Sequence, residues 1–138
     1  ASEAMMEVGV SACTDITGYG LMGHAMEMAK GSEVNLVIKT SDVRMFPKAI
    51  DLIAKKANRP RTLLANRDYI MADVVKGAHI DEPLELMLFD PQTSGGLLIS
   101  VQEGKYPELA AALKARSVDG FAVGRVVEKE AGWRARLE

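Results

Sequence analysis

Residues 15–20 (DITGYG) form the first segment whose residue types could handle phosphate. Asp15 offers a hard carboxylate oxygen, while Thr17, Gly18 and Gly20 offer a hydroxyl and backbone N–H groups ahead of a predicted helix. This combination suits a Mg²⁺-bound phosphate. Magnesium usually takes one or two protein carboxylates plus waters and substrate oxygens, so other ligands would have to come from elsewhere. The same spacing also fits a structural alternative, in which Asp15 and Thr17 cap the helix and the glycines form its entry turn.

A second segment of similar character follows Pro91. Thr93, Ser94, Gly95 and Gly96 bring hydroxyl donors and exposed backbone N–H groups, which is the composition of an anion cradle. The structural alternative is a tight turn after which the chain enters a buried strand. Two such loops in one small domain are more suggestive than either alone, and each could lie at one end of a central strand, where open α/β sheets bind their ligands.

The glycines at 18, 20 and 23 also match the G-x-G-x-x-G pattern of dinucleotide-binding folds, with Asp42 near the end of the next predicted strand. Two observations count against that interpretation. Asp15 stands where a pyrophosphate would approach, and the chain later joins two strands without a crossover helix. We therefore rank the dinucleotide-binding hypothesis far behind a magnesium–phosphate site.

The remaining candidates for chemistry favour structural roles. His24 and His79 are far apart and have no partners at zinc-ligand spacing, so His24 is interpreted as a hydrogen-bonded helix residue beside the glycine loop. Cys13 is interpreted as a small buried hydrophobic residue. The arginines at 59, 61 and 67 are interpreted as solvated surface rather than as a phosphate site.

Composition limits the class of protein. The 138 residues are 48% hydrophobic and 26% charged, which fits one globular domain. The net charge of −2 disfavours a nucleic-acid partner, and no apolar run resembles a signal peptide or membrane span. A single cysteine fits a reducing cytoplasm. The first residues resemble the middle of a helix, so we expect a piece of a longer polypeptide.

Hydrophobic periodicity predicts an α/β fold with a mixed sheet of about four strands. Predicted strands cover residues 10–14, 34 to about 41, 97–101, 121–127 and 133–137. In the second, Val34, Leu36 and Ile38 alternate with Asn35, Val37 and Lys39; the third is expected to be buried on both faces and the last to be exposed. Predicted helices cover residues 1–6, 21–30, 47–58 and 107–116, with further short helices in 59–80 and 84–89. Gly31 and Asn58 are expected to end two of these helices in left-handed conformation. The segment between Val127 and Trp133 is too short for a crossover helix, which is why the sheet should be mixed.

The two glycine segments also carry a family resemblance. Residues 12–25 (ACTDITGYGLMGHA) and 88–98 (LFDPQTSGGLL) resemble the C-terminal domain signatures of the selenide, water dikinase family, within the aminoimidazole ribonucleotide synthetase-like superfamily. The resemblance covers essentially the whole chain. Tyr19 stands where that family usually has Phe, a change that keeps the aromatic ring.

The resemblance implies that residues 1–138 are the C-terminal domain of an enzyme that converts ATP, selenide and water into selenophosphate, AMP and phosphate. The implied fold is a layered α/β/α domain with partly ferredoxin-like connectivity. It implies Asp15 as a Mg²⁺ contact and the two loops, through Thr17, Gly18, Gly20 and residues 93–96, as contacts to ATP phosphates.

In that family the nucleophilic Cys or selenocysteine, its Lys partner and most metal-binding aspartates belong to an N-terminal ATP-binding domain, which we expect to be absent from this chain. Cys13 is therefore not the catalytic cysteine, and the isolated domain should be inactive. The resemblance further implies a cytoplasmic homodimer with no membrane partner. The alternatives are another enzyme of the same superfamily and a non-catalytic binding or assembly module.

Overall fold

Four short strands form the main sheet, in the order β3-β6-β2-β5. The computed structural model describes residues 1–138 and bounds these strands as β2 Asn35–Ile38, β3 Val74–Lys76, β5 Gly124–Val127 and β6 Ala135–Leu137. Strand β6 runs parallel to β2 and β3, whereas β5 runs antiparallel to β2. The predicted α/β class and mixed sheet of about four strands are confirmed.

The other two strands form a separate antiparallel ribbon. Strand β1 spans Ala12–Asp15 and β4 spans Leu97–Ser100, with Asp15 opposite Leu97. The prediction that β4 is buried on both faces is wrong, because Leu97 keeps 44% of its surface exposed. Buried clusters contact β4 at Leu98 and Ile99, on opposite faces, but Leu97 at the loop end of the strand is exposed. The ribbon matters for the site because the first glycine loop follows β1 and the second precedes β4 at the same end of the ribbon.

Six helices complete the fold: α1 Ser2–Val8, α2 Gly20–Gly31, α3 Ala49–Ala54, α4 Arg61–Ile70, α5 Glu82–Met87 and α6 Tyr106–Ala115. Helices α1 and α6 pack on each other and on the ribbon side chain Ile99. Helix α2 lies between the ribbon and the main sheet, since Ala25 and Ala29 pack against both Leu98 and Leu36. None of the helices combines the length and apolar character that a membrane crossing requires.

The largest buried cluster anchors the start of α2. Met22 and Met26 pack against Ile38 and Leu137 of the sheet and against Phe89, which lies just before the second glycine loop. All five side chains are almost completely buried. Burying a side chain of this size contributes roughly 1.5–3 kcal/mol. The same core that holds the domain together therefore also fixes the segments on which both loops depend.

Two further strand predictions need correction for burial. Strand β6 was expected to be exposed, yet Ala135 and Leu137 are fully buried because β6 inserts between β2 and β3. Strand β2 was expected to alternate, yet all four residues are buried, including Asn35, whose amide donates to the Trp133 carbonyl at 3.0 Å. Strand β3, within the segment expected to be helical, was missed altogether. Each error reflects pairing with strands that are distant in the sequence.

Helix ends also differ from expectation. Gly31 is the last residue of α2, and the left-handed position falls on Glu33 (φ 54°). Helix α3 begins after a left-handed Lys48 (φ 66°) rather than at Pro47. Asn58 does not adopt a left-handed conformation; its side chain donates to the Leu52 carbonyl at 2.8 Å instead. Apolar periodicity does not show which residue takes the left-handed conformation or where the Asn58 amide finds its acceptor.

A buried carboxylate on α5 joins that helix to α4 and to strand β3. Glu85 of α5 is completely buried and accepts hydrogen bonds from Arg67 of α4 and Lys76 of β3. Burial by itself raises the pKa of Glu85, but the two cationic donors outweigh it and hold that pKa below its ordinary value. The interpretation of Arg67 as solvated surface is therefore wrong: it is a structural ion-pair residue. The same interpretation is wrong for Arg59, whose side chain is only 9% exposed and donates to the Ile53 carbonyl at 2.8 Å and to Glu82.

We predict that Glu85→Gln lowers the free energy of unfolding by roughly 1–3 kcal/mol at neutral pH, because two charged hydrogen bonds lose their acceptor charge. The depressed pKa gives Glu85 a stabilising contribution that is present above the ordinary value of 4.5 and is lost as pH falls through the folded-state pKa. Urea unfolding between pH 7 and pH 3 should thus show the two proteins converging in acid. As a control, Glu82→Gln removes a surface partner of Arg59 and should cost less than about 1 kcal/mol. Parallel pH profiles for wild type and Glu85→Gln would contradict the assignment.

Candidate phosphate and metal site

The two glycine loops meet at one end of the ribbon. The Ile16 N–H donates to the Gly96 carbonyl at 2.9 Å, and the Gln92 N–H donates to the Thr17 carbonyl at 3.0 Å. The sequence suggests that each loop lies at one end of a central strand; the structure brings the two loops together, but at the end of a separate ribbon. The strands involved are those of the ribbon, not of the main sheet.

Glycine is required where the loops touch. A Cβ on Gly95 would lie 1.9 Å from the Ile16 carbonyl oxygen, and a Cβ on Gly20 would lie 2.7 Å from the Phe89 carbonyl carbon. Gly20 also has a φ of 69°, a left-handed conformation that side chains disfavour. These two positions let the backbones pack directly on each other, so the relative placement of the loops is fixed by main chain.

Asp15 is the last residue of β1 and is exposed. Its backbone pairs with Leu97, but its carboxylate makes no hydrogen bond or ion pair within the protein. No group of three or more His, Cys, Asp or Glu side chains is arranged to hold a metal ion. The donor set fits a partial magnesium site, in which this chain would supply one free carboxylate and the other ligands would have to come from substrate and from other protein segments.

The capping alternative for the first loop is not what the structure shows. The N-cap of α2 is Tyr19, and no side chain makes a capping bond there. The Thr17 carbonyl, not its side chain, accepts from the Gly20 N–H at 3.0 Å. Neither Asp15 nor Thr17 is therefore engaged as a helix cap, and the Asp15 carboxylate is available for a ligand.

Thr17 and His24 form a small hydrogen-bonded chain beside the loop. The Thr17 hydroxyl lies 3.0 Å from Nε2 of His24, and Nδ1 of His24 lies 3.3 Å from a Glu27 carboxylate oxygen. The Tyr19 ring meets His24 edge-on, at 5.7 Å between centroids. His24 is thus a hydrogen-bonded helix residue, as its sequence context indicated, and it orients the Thr17 hydroxyl.

The second loop presents unpaired donors to solvent. Four consecutive backbone N–H groups have no acceptor within the protein, and all four residues are exposed: Thr93, Ser94, Gly95 and Gly96. Successive amides of this kind are the usual elements of an anion-binding concavity. The loop can therefore donate to phosphate oxygens without breaking an existing hydrogen bond.

A groove of about 450 Å³ adjoins the loops and contains residues that the sequence did not single out. Apolar side chains form most of its lining, and Arg44, Asp90 and Gln92 supply polar groups. Burial raises the pKa of Asp90, and a 3.0 Å hydrogen bond from the Gln92 amide partly offsets this. Asp90 lies in the DPQ segment directly before the second loop, and that position could have marked it as a candidate.

The prediction that Cys13 is buried is wrong; the residue is exposed on the ribbon. Partial desolvation, together with the nearby Asp15 charge, raises the pKa of the Cys13 thiol. A raised pKa keeps the side chain in its less nucleophilic thiol form at neutral pH. Its environment therefore offers no activation for nucleophilic chemistry.

Comparison with known proteins places this geometry in a family. Residues 1–133 match the family described as AIR synthase related protein, C-terminal domain. The chain belongs to this family. The matched residues include the ribbon, both glycine loops and strands β2, β3 and β5 of the main sheet.

Several curated relatives of this AIR synthase related domain are selenide, water dikinases. That of Caldanaerobacter subterraneus subsp. tengcongensis is 47% identical over 131 residues, or 94% of this chain and 38% of the relative. That of Clostridioides difficile is 40% identical over 87% of this chain and 34% of the relative. Selenide, water dikinase 2 of Peptoclostridium acidaminophilum is 41% identical over 94% of this chain and 37% of the relative. The chain therefore spans little more than a third of the length of these relatives.

A solved structure described as AaThiL complexed with AMPPCP and TMP shares the domain's fold. Its TM-score is 0.50 at 18% sequence identity, covering 93% of this chain and 30% of that chain. At this identity the likeness concerns the fold alone, and it supports the layered α/β assignment made from the sequence.

We predict that Gly95→Ala disturbs the contact between the loops, whereas Gly96→Ala is tolerated. The added methyl on Gly95 would collide with the Ile16 backbone, but the same methyl on Gly96 meets nothing within 4 Å. We expect Gly95→Ala to cost roughly 1–3 kcal/mol of unfolding free energy, with Gly96→Ala below about 1 kcal/mol. Thermal or denaturant unfolding of both variants measures the difference, and equal effects at the two positions would refute the close contact.

Proposed function

We propose that this chain is the C-terminal domain of a selenide, water dikinase, which makes selenophosphate, AMP and phosphate from ATP, selenide and water. The observation that carries the proposal is the 47% identity to the Caldanaerobacter enzyme over 94% of the chain. Within the domain, a free carboxylate and a row of unpaired amides at the same end of the ribbon give that assignment a chemical basis.

Asp15 is proposed as the magnesium contact of this domain. Its carboxylate is exposed and unpaired, so it can bind a cation without losing a protein partner. The other carboxylates of the site would come from the N-terminal domain of the intact enzyme. Bound magnesium would supply charge neutralisation for the nucleotide phosphates.

The two loops are proposed to hold phosphate oxygens. The amides of Thr93, Ser94, Gly95 and Gly96 point donors to solvent, and Gly18 lacks a side chain that would block approach to the first loop. Thr17, oriented by His24, adds a hydroxyl. With Gly20 fixing the turn, these groups would orient the phosphates and limit their motion during transfer.

The domain is proposed to act only with the rest of the enzyme. The resemblance places the nucleophilic Cys or selenocysteine and its Lys partner in an N-terminal domain, and Cys13 has a raised rather than a lowered pKa. We therefore propose an N-terminal ATP-binding domain as the main partner, a homodimeric intact enzyme in the cytoplasm, ATP and selenide as substrates, and no catalysis by residues 1–138 alone.

We predict that Asp15→Asn in the intact protein abolishes or strongly lowers selenophosphate formation, by a factor on the order of 10²–10³, because a neutral amide neither binds Mg²⁺ nor offsets its charge as well. Phosphorus NMR of ATP, Mg²⁺ and selenide measures the product. Asp119→Asn is the matched control, since Asp119 is exposed and makes no ion pair. A wild-type protein that forms no selenophosphate would contradict the assigned activity, and full activity of Asp15→Asn would contradict the assigned metal contact.

A further inference from the structure

We propose that Asn66 is a positioning residue for metal and phosphate binding: it holds the first glycine loop against the chain segment that leads into the second. Asn66 lies on α4, outside both loops, and was not among the residues that the sequence marked for chemistry. Its side-chain amide donates to the Gly18 carbonyl at 2.8 Å and to the Phe89 carbonyl at 3.2 Å. One amide group thus joins a third element to the first loop and to the chain just before the second. This inference rests on the proposed function, because it assigns a role within that site.

The chemistry of the contact fixes the orientation of the amide. Both partners of Asn66 are carbonyl oxygens, which only accept hydrogen bonds, so the NH₂ group must face them. Neither the Gly18 nor the Phe89 carbonyl receives a hydrogen bond from any other group of the protein. Removing the amide therefore leaves both carbonyls without a protein donor.

Neighbouring contacts hold Asn66 in place. The next residue, Arg67, pairs with the buried Glu85, which fixes the rotation of α4 relative to α5. Leu63, one turn earlier on α4, is fully buried against Ile53 and Leu86. A side chain on a helix that is fixed on two sides needs little further ordering to make its hydrogen bonds.

The position of the bridged carbonyls explains how Asn66 would affect the site. Gly18 follows Asp15 by three residues, and Phe89 directly precedes Asp90 and the second loop. Without the bridge, the Ile16 and Gln92 amides and the contact of Gly20 with Phe89 would still join the loops, but the Gly18 carbonyl would lose its only protein donor and its peptide would move more freely. Binding of Mg²⁺ and phosphate would then have to order that peptide, which weakens binding more than it slows the bound reaction.

The test compares Asn66→Ala with Asn58→Ala in the intact protein. Asn58 is a matched control because its amide also bonds a backbone carbonyl, that of Leu52, far from the loops in sequence. We expect Asn66→Ala to raise the half-saturating Mg²⁺ concentration for selenophosphate formation by about tenfold, with the rate at saturating Mg²⁺ within about twofold of wild type. A loss of folded protein alone would lower the rate at every Mg²⁺ concentration and leave half-saturation unchanged, and that result would overturn the proposal.

A second measurement separates this inference from the proposed function. Hydrogen exchange of peptides covering residues 15–22 and 88–97 reports loop order whether or not the protein makes selenophosphate. We expect both peptides to exchange faster in Asn66→Ala and to remain as in wild type in Asn58→Ala. If wild type makes no selenophosphate but both peptides respond, the bridge stands and the assigned activity fails. If neither peptide responds, the bridge itself is refuted.

Discussion

The contact between the Ile16 carbonyl and the backbone at Gly95 is the constraint on which the rest of the site depends. The Ile16 carbonyl lies so near Gly95 that there is no room for a Cβ, so the backbones of the two loops are in direct contact. The hydrogen bond from Ile16 to Gly96 and that from Gln92 to Thr17 then fix the register. Because this contact is main chain against main chain, the side chains of Asp15 and Ser94 are free to face a ligand rather than to hold the fold.

The stability of the domain and the geometry of the site share the same supports. Helix α2 begins at the first loop, and its buried residues Met22 and Met26 join the core that also contains Phe89. Helix α4 is held by the Arg67–Glu85 ion pair, and its residue Asn66 donates to Gly18 in the first loop and to Phe89 just before the second. A rigid scaffold therefore surrounds two exposed loops whose amides and carboxylate remain unpaired. This division between buried support and free surface donors is what a site for a charged substrate requires.

Local sequence patterns predicted most elements and marked both glycine loops as candidates, because glycine and proline positions and apolar periodicity act over a few residues. They did not predict that β6 is central, that β4 is half exposed or that Cys13 lies at the surface, since strand burial depends on partners distant in the sequence. Asn66 was missed for the same reason: its acceptors, Gly18 and Phe89, are 48 and 23 residues away. The roles of Asp15 and the loop residues remain predictions from the resemblance, which the geometry makes chemically reasonable.

The central claim is that Asp15 binds the cation that accompanies the nucleotide. Anomalous diffraction from crystals of the intact protein, grown with Mn²⁺ in place of Mg²⁺ and a non-hydrolysable ATP analogue, tests it most directly. The account predicts an anomalous peak within roughly 2.0–2.3 Å of an Asp15 carboxylate oxygen, the distance expected for a small hard divalent cation. A nucleotide-associated manganese peak that lies beyond coordination distance of Asp15 would contradict it.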